Sequence, residues 1–314
     1  ERLGARLDRW RGDVGGEGKM SIYLVVLFFT MLLSTIFLYF WARRYVFPKF
    51  DKKLDYVPKR PKPLEYGNLN SLPKKLELGL ALGAFAIYLI VRLGGLDTFP
   101  IYFFTDEAAQ TVLAEELVKS NFVINDEFLP TFLYNSDKFS LGVSVYLQIL
   151  PYLFFGKSVF VTRATSVFIT SLAAVSIGLI LKQVFRIKNW WIGILLLSVT
   201  PVWFLHSRTA FETAMATAFY AFFLYAYLMY LYKSPKYIYL TIFMAALTFY
   251  TYNPVRVVVI VSSILFFISD FHFHWQNKKY LGIGSFFLFF LTLPYFRFKF
   301  FHIGFCEILI FISY

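Results

Sequence analysis

Long apolar runs separated by polar segments are the feature that most constrains how this chain can fold. The runs are Ser21–Trp41, Leu76–Leu93, Phe160–Leu181, Trp190–Leu205, Phe211–Tyr232, Tyr237–Tyr250, Val255–Ser269 and Tyr280–Tyr295. A helix of about 20 apolar residues crosses the hydrocarbon core of a bilayer, and only helices or closed barrels pair all their backbone groups there. With 58% hydrophobic residues and 40 phenylalanines among 314 positions, the chain is predicted to be an all-α polytopic membrane protein.

The net charge of +12 does not indicate a nucleic-acid partner, because ten of the 31 Lys and Arg residues lie in one segment, Arg43–Lys75. That segment adjoins two apolar runs, and basic residues in such places are typical of cytoplasmic loops. The single cysteine, Cys306, excludes an internal disulfide. The chain begins without a methionine and ends inside an apolar run, and we interpret it as a fragment.

The apolar segment Phe139–Phe155 contains Gln148 and Pro151, and the later basic loops decide its interpretation. If the basic segment is cytoplasmic, Leu76–Leu93 leads outward into a mostly acidic stretch. The loops "KQVFRIKN", "YKSPKY" and "HFHWQNKK" then face the cytoplasm only if Phe139–Phe155 does not span. We therefore predict an interfacial or re-entrant helix there, inside one long outer loop, residues 94–159, with its own helices.

This topology divides the chain into three parts. Residues 1–75 form an N-terminal extension with one extra span and the basic cytoplasmic segment. Residues 76–295 form the main transmembrane domain, which includes the long loop. Residues 296–314 form a truncated or atypical tail, because the sequence after Pro294 lacks the alternation of loops and spans seen before it.

An acidic pair, Asp106 and Glu107, lies near the start of the long loop. Thr105 is predicted to be the N-cap of a helix that runs to about Lys119, with both acids in its first turn. The residues on the helical face of Asp106 are Ala109, Gln110, Leu113 and Leu117. Partial burial on that face would raise the pKa of Asp106, which suits a base that accepts a proton from a hydroxyl or amine. The alternative is that both acids only stabilise the helix dipole.

Basic residues lie near the same acidic pair. Lys138 precedes the segment Phe139–Phe155, and Arg163 opens the next span. Arginine suits a phosphate group because its guanidinium can hold two oxygens at once. The alternative for both residues is that they reach out to the lipid headgroups.

Two later segments add candidate residues. Arg208 and Glu212 lie four positions apart at the start of a helix, and they form either an intrahelical ion pair or a site wall in which Glu212 orients Arg208. Tyr252, Asn253 and Arg256 lie in "FYTYNPVR", where one span ends and the next begins. The aromatic residues there either form the interfacial belt or stack on a sugar ring.

Several site classes are not indicated by the sequence. His272 and His274 alternate in "FHFHW" without a nearby third ligand, so we expect no metal site there. The sequence contains no Gly-rich phosphate loop, so a sugar donor would be a lipid phosphate rather than a soluble nucleotide. A divalent-metal requirement is left open, and no cofactor is assigned.

Four segments, in order, resemble the bacterial branch of the protein O-mannosyltransferase and aminoarabinose transferase superfamily. They are "FTDEAAQTVLAEELVKSN", "KFSLGVSVYLQILPYLFFGKSVFVTRATSVF", "TPVWFLHSRTAFETAMATAFYAFFLYAYLMY" and "AALTFYTYNPVRVVV". The resemblance runs from about Leu76 to Asp270. It departs from the family pattern after Lys138, where Phe-Ser-Leu replaces the prolines that many relatives carry, and the span Ser21–Trp41 lies outside the family plan.

The resemblance implies a C-type glycosyltransferase transmembrane bundle in the plasma or inner membrane, with its active site facing outward. It implies inverting transfer of a sugar from a polyprenyl-phosphate donor to a protein, lipid or glycan acceptor. Asp106 takes the position of the catalytic acid, with Glu107 beside it. Arg163 is the best placed residue for the lipid phosphate, with Lys138 and Arg256 nearby. A transporter or lipid flippase, or an inactive fragment of the family, remains the alternative.

Overall fold

A computed structural model describes residues 73–135 and 138–302, including all their side chains except those of residues 138, 301 and 302. The predicted span Ser21–Trp41, the basic segment up to residue 72 and the tail from residue 303 lie outside the described residues. Residues 73–263 and 270–302 belong to one compact unit, and residues 264–269 group separately.

The described residues form eleven helices and four short strands. The first four helices are α1 (Lys74–Leu93), α2 (Thr105–Lys119), α3 (Val143–Phe155) and α4 (Val159–Gln183). The later helices are α5 (Trp191–Val199), α6 (Pro201–His206), α7 (Glu212–Tyr232), α8 (Tyr237–Thr251), α9 (Asn253–Ser269), α10 (Phe271–Gln276) and α11 (Lys278–His302). The strands are β1 (Val123–Ile124), β2 (Glu127–Phe128), β3 (Leu133–Asn135) and β4 (Lys138–Leu141).

Four of these helices, α1, α4, α7 and α11, are long and apolar enough to cross a membrane. The shorter apolar helices are α3, α8 and α9. The sequence predicts one continuous span over Trp190–Leu205. This prediction is wrong, because the helix breaks between α5 and α6. Thr200 is extended there, with φ −68° and ψ 113°, and Pro201 opens α6. A proline disfavours helical geometry in the residue before it and cannot supply a helical N–H.

Helix α7 lies at the centre of the packing and contacts α4 and α8. The apolar stretch of α7 is 61% buried inside the protein, compared with 22% for that of α1 and 11% for that of α11. Buried alanines, including Ala214, Ala218 and Ala226, allow neighbouring helices to approach α7 closely. Helices α4 and α7 therefore form the core, while α1 and α11 present most of their surface outward.

The long loop contains two antiparallel hairpins, β1–β2 and β3–β4, in addition to helices α2 and α3. The predicted helix Phe139–Phe155 begins only at Val143, since the residues up to Leu141 pair with β3. Gly142 separates strand from helix, where a β-carbon would lie 2.6 Å from the carbonyl oxygen of Tyr250. With 13 residues, α3 is about 20 Å long, which is too short to cross a bilayer as an ordinary helix.

The predicted boundary between residues 295 and 296 falls inside α11, which continues past Pro294 to His302. Pro294 lacks an N–H, and the hydroxyl of Tyr250 inserts into the helical ladder beside it. That hydroxyl donates to the Leu291 carbonyl at 2.6 Å and accepts from the Tyr295 N–H at 3.2 Å. The hydroxyl thus bridges the carbonyl and the N–H of the helical pair next to Pro294, and both groups keep a hydrogen-bond partner.

Candidate functional site

The acidic pair lies in the first turn of α2, where the two side chains take different directions. The helix begins at Thr105, so Phe104, not Thr105, occupies the N-cap position. Its backbone N–H donates to Glu107 Oε1 at 3.3 Å. Successive helical residues are rotated by about 100°, and Asp106 and Glu107 therefore face different surroundings.

Glu107 is completely buried and pairs with Arg163, which is 1% exposed. The Arg163 Nε donates to Glu107 Oε2 at 3.0 Å, and its Nη2 donates to Oε1 at 3.1 Å. The backbone N–H of Ala210 also donates to Oε2, at 2.9 Å. A two-pronged pair of this kind is strong and geometrically specific, so Glu107 joins α2 to α4 and to the segment before α7.

Arg163 uses its remaining donors on backbone carbonyls. Its Nη1 donates to Leu96 and Pro100, both at 2.9 Å, and its Nη2 donates to Tyr102 at 2.7 Å. All five N–H groups of the guanidinium are thus engaged within the fold. The predicted role of Arg163 as the phosphate ligand is therefore wrong in this structure, because no donor is left for a substrate oxygen.

Arg208 is a second buried arginine that organises the same backbone. It donates five hydrogen bonds to carbonyl oxygens at the end of α1 and in the segment after it. These acceptors are Val91, Arg92, Gly94, Gly95 and Phe99, at 2.7 to 3.1 Å. Burial, with a smaller contribution from the positive charge of Arg163, lowers the pKa of Arg208.

Glu212 does not orient Arg208, and the pair does not form the predicted intrahelical bridge. Arg208 lies before α7, and its hydrogen bonds all go to carbonyls. Glu212, the first residue of α7, accepts from the Gln110 Nε2 of α2 at 3.3 Å. Both expectations for this pair are therefore wrong: Arg208 stabilises the end of α1, where a cation is favourable, and Glu212 faces α2.

Arg92 is a third buried arginine, and the sequence analysis missed it. It lies in α1 with no exposed surface and stacks on the Tyr88 ring at 3.5 Å. Its Nε donates to Ser207 Oγ at 2.8 Å, and its Nη1 donates to Ser198 Oγ at 3.2 Å. The signal in the sequence is an arginine in the next-to-last position of an apolar run, a place from which arginines also reach the headgroups.

Asp106 is exposed, so the expected burial on the apolar face of α2 is wrong. The buried residues of α2 are Glu107, Gln110, Thr111, Ala114 and Leu117. They recur at helical spacing from Glu107, one position later than predicted. Asp106 instead faces the β3–β4 hairpin, where the Asn135 Nδ2 donates to its Oδ1 at 3.2 Å.

The surroundings of Asp106 bring several of the predicted residues together. Asn135 pairs across the hairpin with Lys138, whose side chain lies outside the described part of the structure. One helical turn along α2 from Asp106, Gln110 donates to Glu212 at 3.3 Å. The Gln110 Oε1 is buried without a hydrogen-bond partner among the described residues. Asp106 therefore lies at the edge of a polar cluster formed by α2, α7 and the hairpin.

Asn253 and Arg256 lie on the other side of the same hairpin. Asn253 Nδ2 donates to the Phe139 carbonyl at 3.3 Å. Arg256 Nε donates to the Phe249 carbonyl at 3.2 Å, and its guanidinium lies 4.2 Å above the Phe132 ring. Its Nη2 has no hydrogen-bond partner among the described residues. Tyr252, at the junction of α8 and α9, is half-buried.

An apolar cavity of about 790 Å³ lies near this junction; its lining includes Arg297 but not Arg256. It is formed by the segment before β3, by α3, by the end of α8 and by the Pro294 region of α11. Lining residues include Pro130, Val143, Tyr146, Tyr250, Leu293 and Phe296. The rings of Phe249 and Tyr295, next to this lining in the chain, lie 5.3 and 6.0 Å from the Arg256 guanidinium.

The two histidines of "FHFHW" have separate partners. His274 Nδ1 bonds with the Tyr230 hydroxyl at 2.8 Å, and His272 Nε2 with Gln276 Nε2 at 3.0 Å. Among residues 73–135 and 138–302, no three His, Cys, Asp or Glu side chains are grouped closely enough to hold a metal ion.

Comparison with protein-family models, curated proteins and solved structures finds no match to this chain.

Proposed function

We propose that the chain is a membrane glycosyltransferase that moves a sugar from a polyprenyl-phosphate donor to a protein, lipid or glycan acceptor. The observation that carries this proposal is the contrast between the two adjacent acids. Glu107 is fully buried and paired with Arg163, while Asp106 is exposed at the edge of a polar cluster, and among the described residues it accepts a hydrogen bond from Asn135 at 3.2 Å. The buried Glu107–Arg163 pair holds the first turn of α2 in place, and the exposed Asp106 carboxylate belongs to that turn.

Asp106 can act as the general base of this reaction. The acceptor oxygen or nitrogen attacks the anomeric carbon from the face opposite the phosphate, and the carbon–oxygen bond to the phosphate breaks. The electron pair leaves with the phosphate, the acceptor proton passes to the Asp106 carboxylate, and the configuration is inverted. Glu107 does not touch the reacting atoms in this scheme, and it becomes a positioning residue rather than a catalytic one.

In this proposal the donor phosphate binds to Arg256 rather than to Arg163. The Nη2 of Arg256 has no hydrogen-bond partner among the described residues. The N–H groups of Arg163, by contrast, all donate to Glu107 or to backbone carbonyls. Lys138 is a second candidate cation, since its backbone pairs with Asn135, the residue bonded to Asp106. A cation at the departing phosphate stabilises the charge that develops in the transition state.

The cavity lined by Tyr250, whose neighbour Phe249 contacts Arg256, suits the hydrocarbon part of the same donor. Its lining is mostly apolar, with Thr131 and Arg297 at its polar part, and a polyprenyl chain gains about 25 cal/mol for each Å² that it removes from water. A phosphate at Arg256 with its chain in this cavity would leave the sugar on the side of the β3–β4 hairpin. Asp106 borders that hairpin.

The transporter alternative receives less support. A transporter is expected to place polar groups at broken helices near the bilayer midplane. The buried Thr165, Thr170 and Ser176 in the central helix α4 bond instead to carbonyls of their own helix. The buried charges Glu107, Arg163 and Arg208 lie near one another, at one end of α4 and α7.

Replacement of Asp106 tests the proposal. Membranes that contain the full-length protein are supplied with polyprenyl-phosphate-linked hexoses and pentoses, and sugar transfer to endogenous acceptors is measured. Asp106→Asn should reduce transfer by about 10²-fold or more, because a positioned base contributes that much. The matched control is Asp126→Asn, an exposed acid in the same loop, which should leave transfer unchanged.

Thermal unfolding is measured alongside and should be the same for Asp106→Asn and the native protein. Transfer that persists in Asp106→Asn, with every donor that the native protein accepts, would refute the assignment of Asp106. Absence of transfer by the native protein with all donors would refute the transferase proposal itself.

A further inference from the structure

The segment between α1 and α2 contains an exposed apolar tip, residues 99–104, which we call the aromatic loop. Ile101 is 80% exposed and Tyr102 is 74% exposed, whereas Phe99 and Phe104 at its ends are 43% and 49% exposed. Apolar surface in water costs about 25 cal/mol per Å². A tip whose exposure is greatest at its centre is therefore stable only where something apolar covers it.

The backbone of this irregular segment is paired from inside the protein. Arg163 and Arg208 together donate to six of the nine carbonyls between residues 94 and 102. The acceptors are Gly94, Gly95, Leu96, Phe99, Pro100 and Tyr102. The N–H of Phe99 bonds to the Gly95 carbonyl at 2.9 Å, and that of Phe104 bonds to Glu107.

Such pairing is unnecessary for a loop in water, because water bonds to exposed carbonyls. In the hydrocarbon region each unpaired backbone group costs several kcal/mol, so irregular backbone is tolerated only when protein groups satisfy it. Two buried guanidinium groups provide that satisfaction here. The segment thus combines apolar side chains that point outward with a backbone that needs little from the solvent.

The aromatic loop also continues an apolar surface. On α1, Leu82 is 61% exposed and Ile90 is 69% exposed, and this helix is apolar enough to cross a membrane. Val202 on the short helix α6 is 70% exposed. The charged residues Asp97 and Asp106, both exposed, bracket the loop on either side. The apolar surface therefore ends just beyond the aromatic loop.

We propose that the aromatic loop is inserted among phospholipid acyl chains at the boundary with the headgroups, and that it holds the start of α2 at the membrane surface. The partner is the lipid bilayer itself. The aromatic and aliphatic tip enters the acyl region, while Asp97 and Asp106 stay at the level of headgroups and water. This inference does not depend on the transferase activity, since it concerns only the depth of the loop.

The depth of the loop can be measured with a fluorophore at three positions. In a Cys306→Ser background, Ile101→Cys, Leu82→Cys and Asp126→Cys are each labelled with the environment-sensitive dye NBD. The protein is reconstituted into phosphatidylcholine vesicles, and quenching by doxyl-labelled phospholipid is compared with quenching by aqueous iodide. Leu82 marks the lipid-facing surface of α1, and Asp126 marks an exposed turn of the long loop.

The label at Ile101 should be quenched by doxyl lipid about as well as the label at Leu82, and several-fold less by iodide than the label at Asp126. Iodide quenching equal to that at Asp126 would overturn the proposal. So would weak quenching by both agents, because a second copy of the chain or another protein would then cover the loop.

Discussion

At the scale of single residues, position within one helical turn separates two acids of similar chemistry. Glu107 begins the buried stripe of α2 and meets Arg163 inside the protein, while Asp106 faces the β3–β4 hairpin. Arg163, expected at a substrate, gives its donors to Glu107 and to backbone carbonyls, and Arg208 gives both of its terminal nitrogens to the carbonyls around the aromatic loop. Arg256, expected beside the phosphate, retains an unpartnered nitrogen.

Replacement of Glu107 should damage stability rather than chemistry. Glu107→Gln removes the counter-charge of Arg163, which is 1% exposed, and an unpaired buried charge costs about 3 kcal/mol or more. The melting temperature in detergent should therefore fall markedly. Asp106→Asn is the matched control, and its stability should stay within about 0.5 kcal/mol of the native value. Equal melting temperatures for the two variants would contradict the structural role of Glu107.

At the scale of elements, the structure departs from the sequence prediction at glycine and proline. The α5–α6 break occurs at Pro201, whereas α11 passes Pro294, where the Tyr250 hydroxyl bridges the Leu291 carbonyl and the Tyr295 N–H. Apolar runs predict where helices lie, but hydropathy carries no information on which backbone hydrogen bonds are formed. The strand β4 was not predicted for a similar reason, since the segment "KFSL" differs little in hydropathy from the helix that follows Gly142.

Gly142 provides a test at this scale. In Gly142→Ala the new methyl group would lie 2.6 Å from the Tyr250 carbonyl oxygen, so β4, α3 or α8 must shift. Overpacking of this kind costs about 1–3 kcal/mol, measurable as a lower midpoint of thermal unfolding. Gly83→Ala in α1 is the control, because nothing lies within 4 Å of its new methyl group. A Gly142→Ala variant as stable as Gly83→Ala would show that the junction yields without cost.

At the scale of the whole molecule, contacts bring together residues that are far apart in the chain. Arg208 reaches carbonyls more than 100 positions earlier, and Gln110 reaches Glu212. These contacts gather the buried charges at one end of the bundle, where the sequence predicts the outer face. Which side of the membrane that end faces remains a prediction based on the basic loops.

Labelling of single cysteines in intact cells tests that orientation. In a Cys306→Ser background, Asp126→Cys should react with a membrane-impermeant maleimide from outside, and Lys188→Cys only after permeabilisation. Labelling of Lys188→Cys from outside would show that the predicted orientation is reversed or that α3 spans the membrane.

The sequence by itself determined the helical membrane character of the chain, the positions of most helices and the segment in which the candidate site lies. Apolar length and charge placement suffice for this, because the bilayer imposes both. Only the tertiary structure decided which acid is buried and which arginines bond to the protein's own backbone. Glu107 and Arg163 are 56 positions apart, and Arg208 lies more than 100 positions from its acceptors, so no local pattern encodes these pairings.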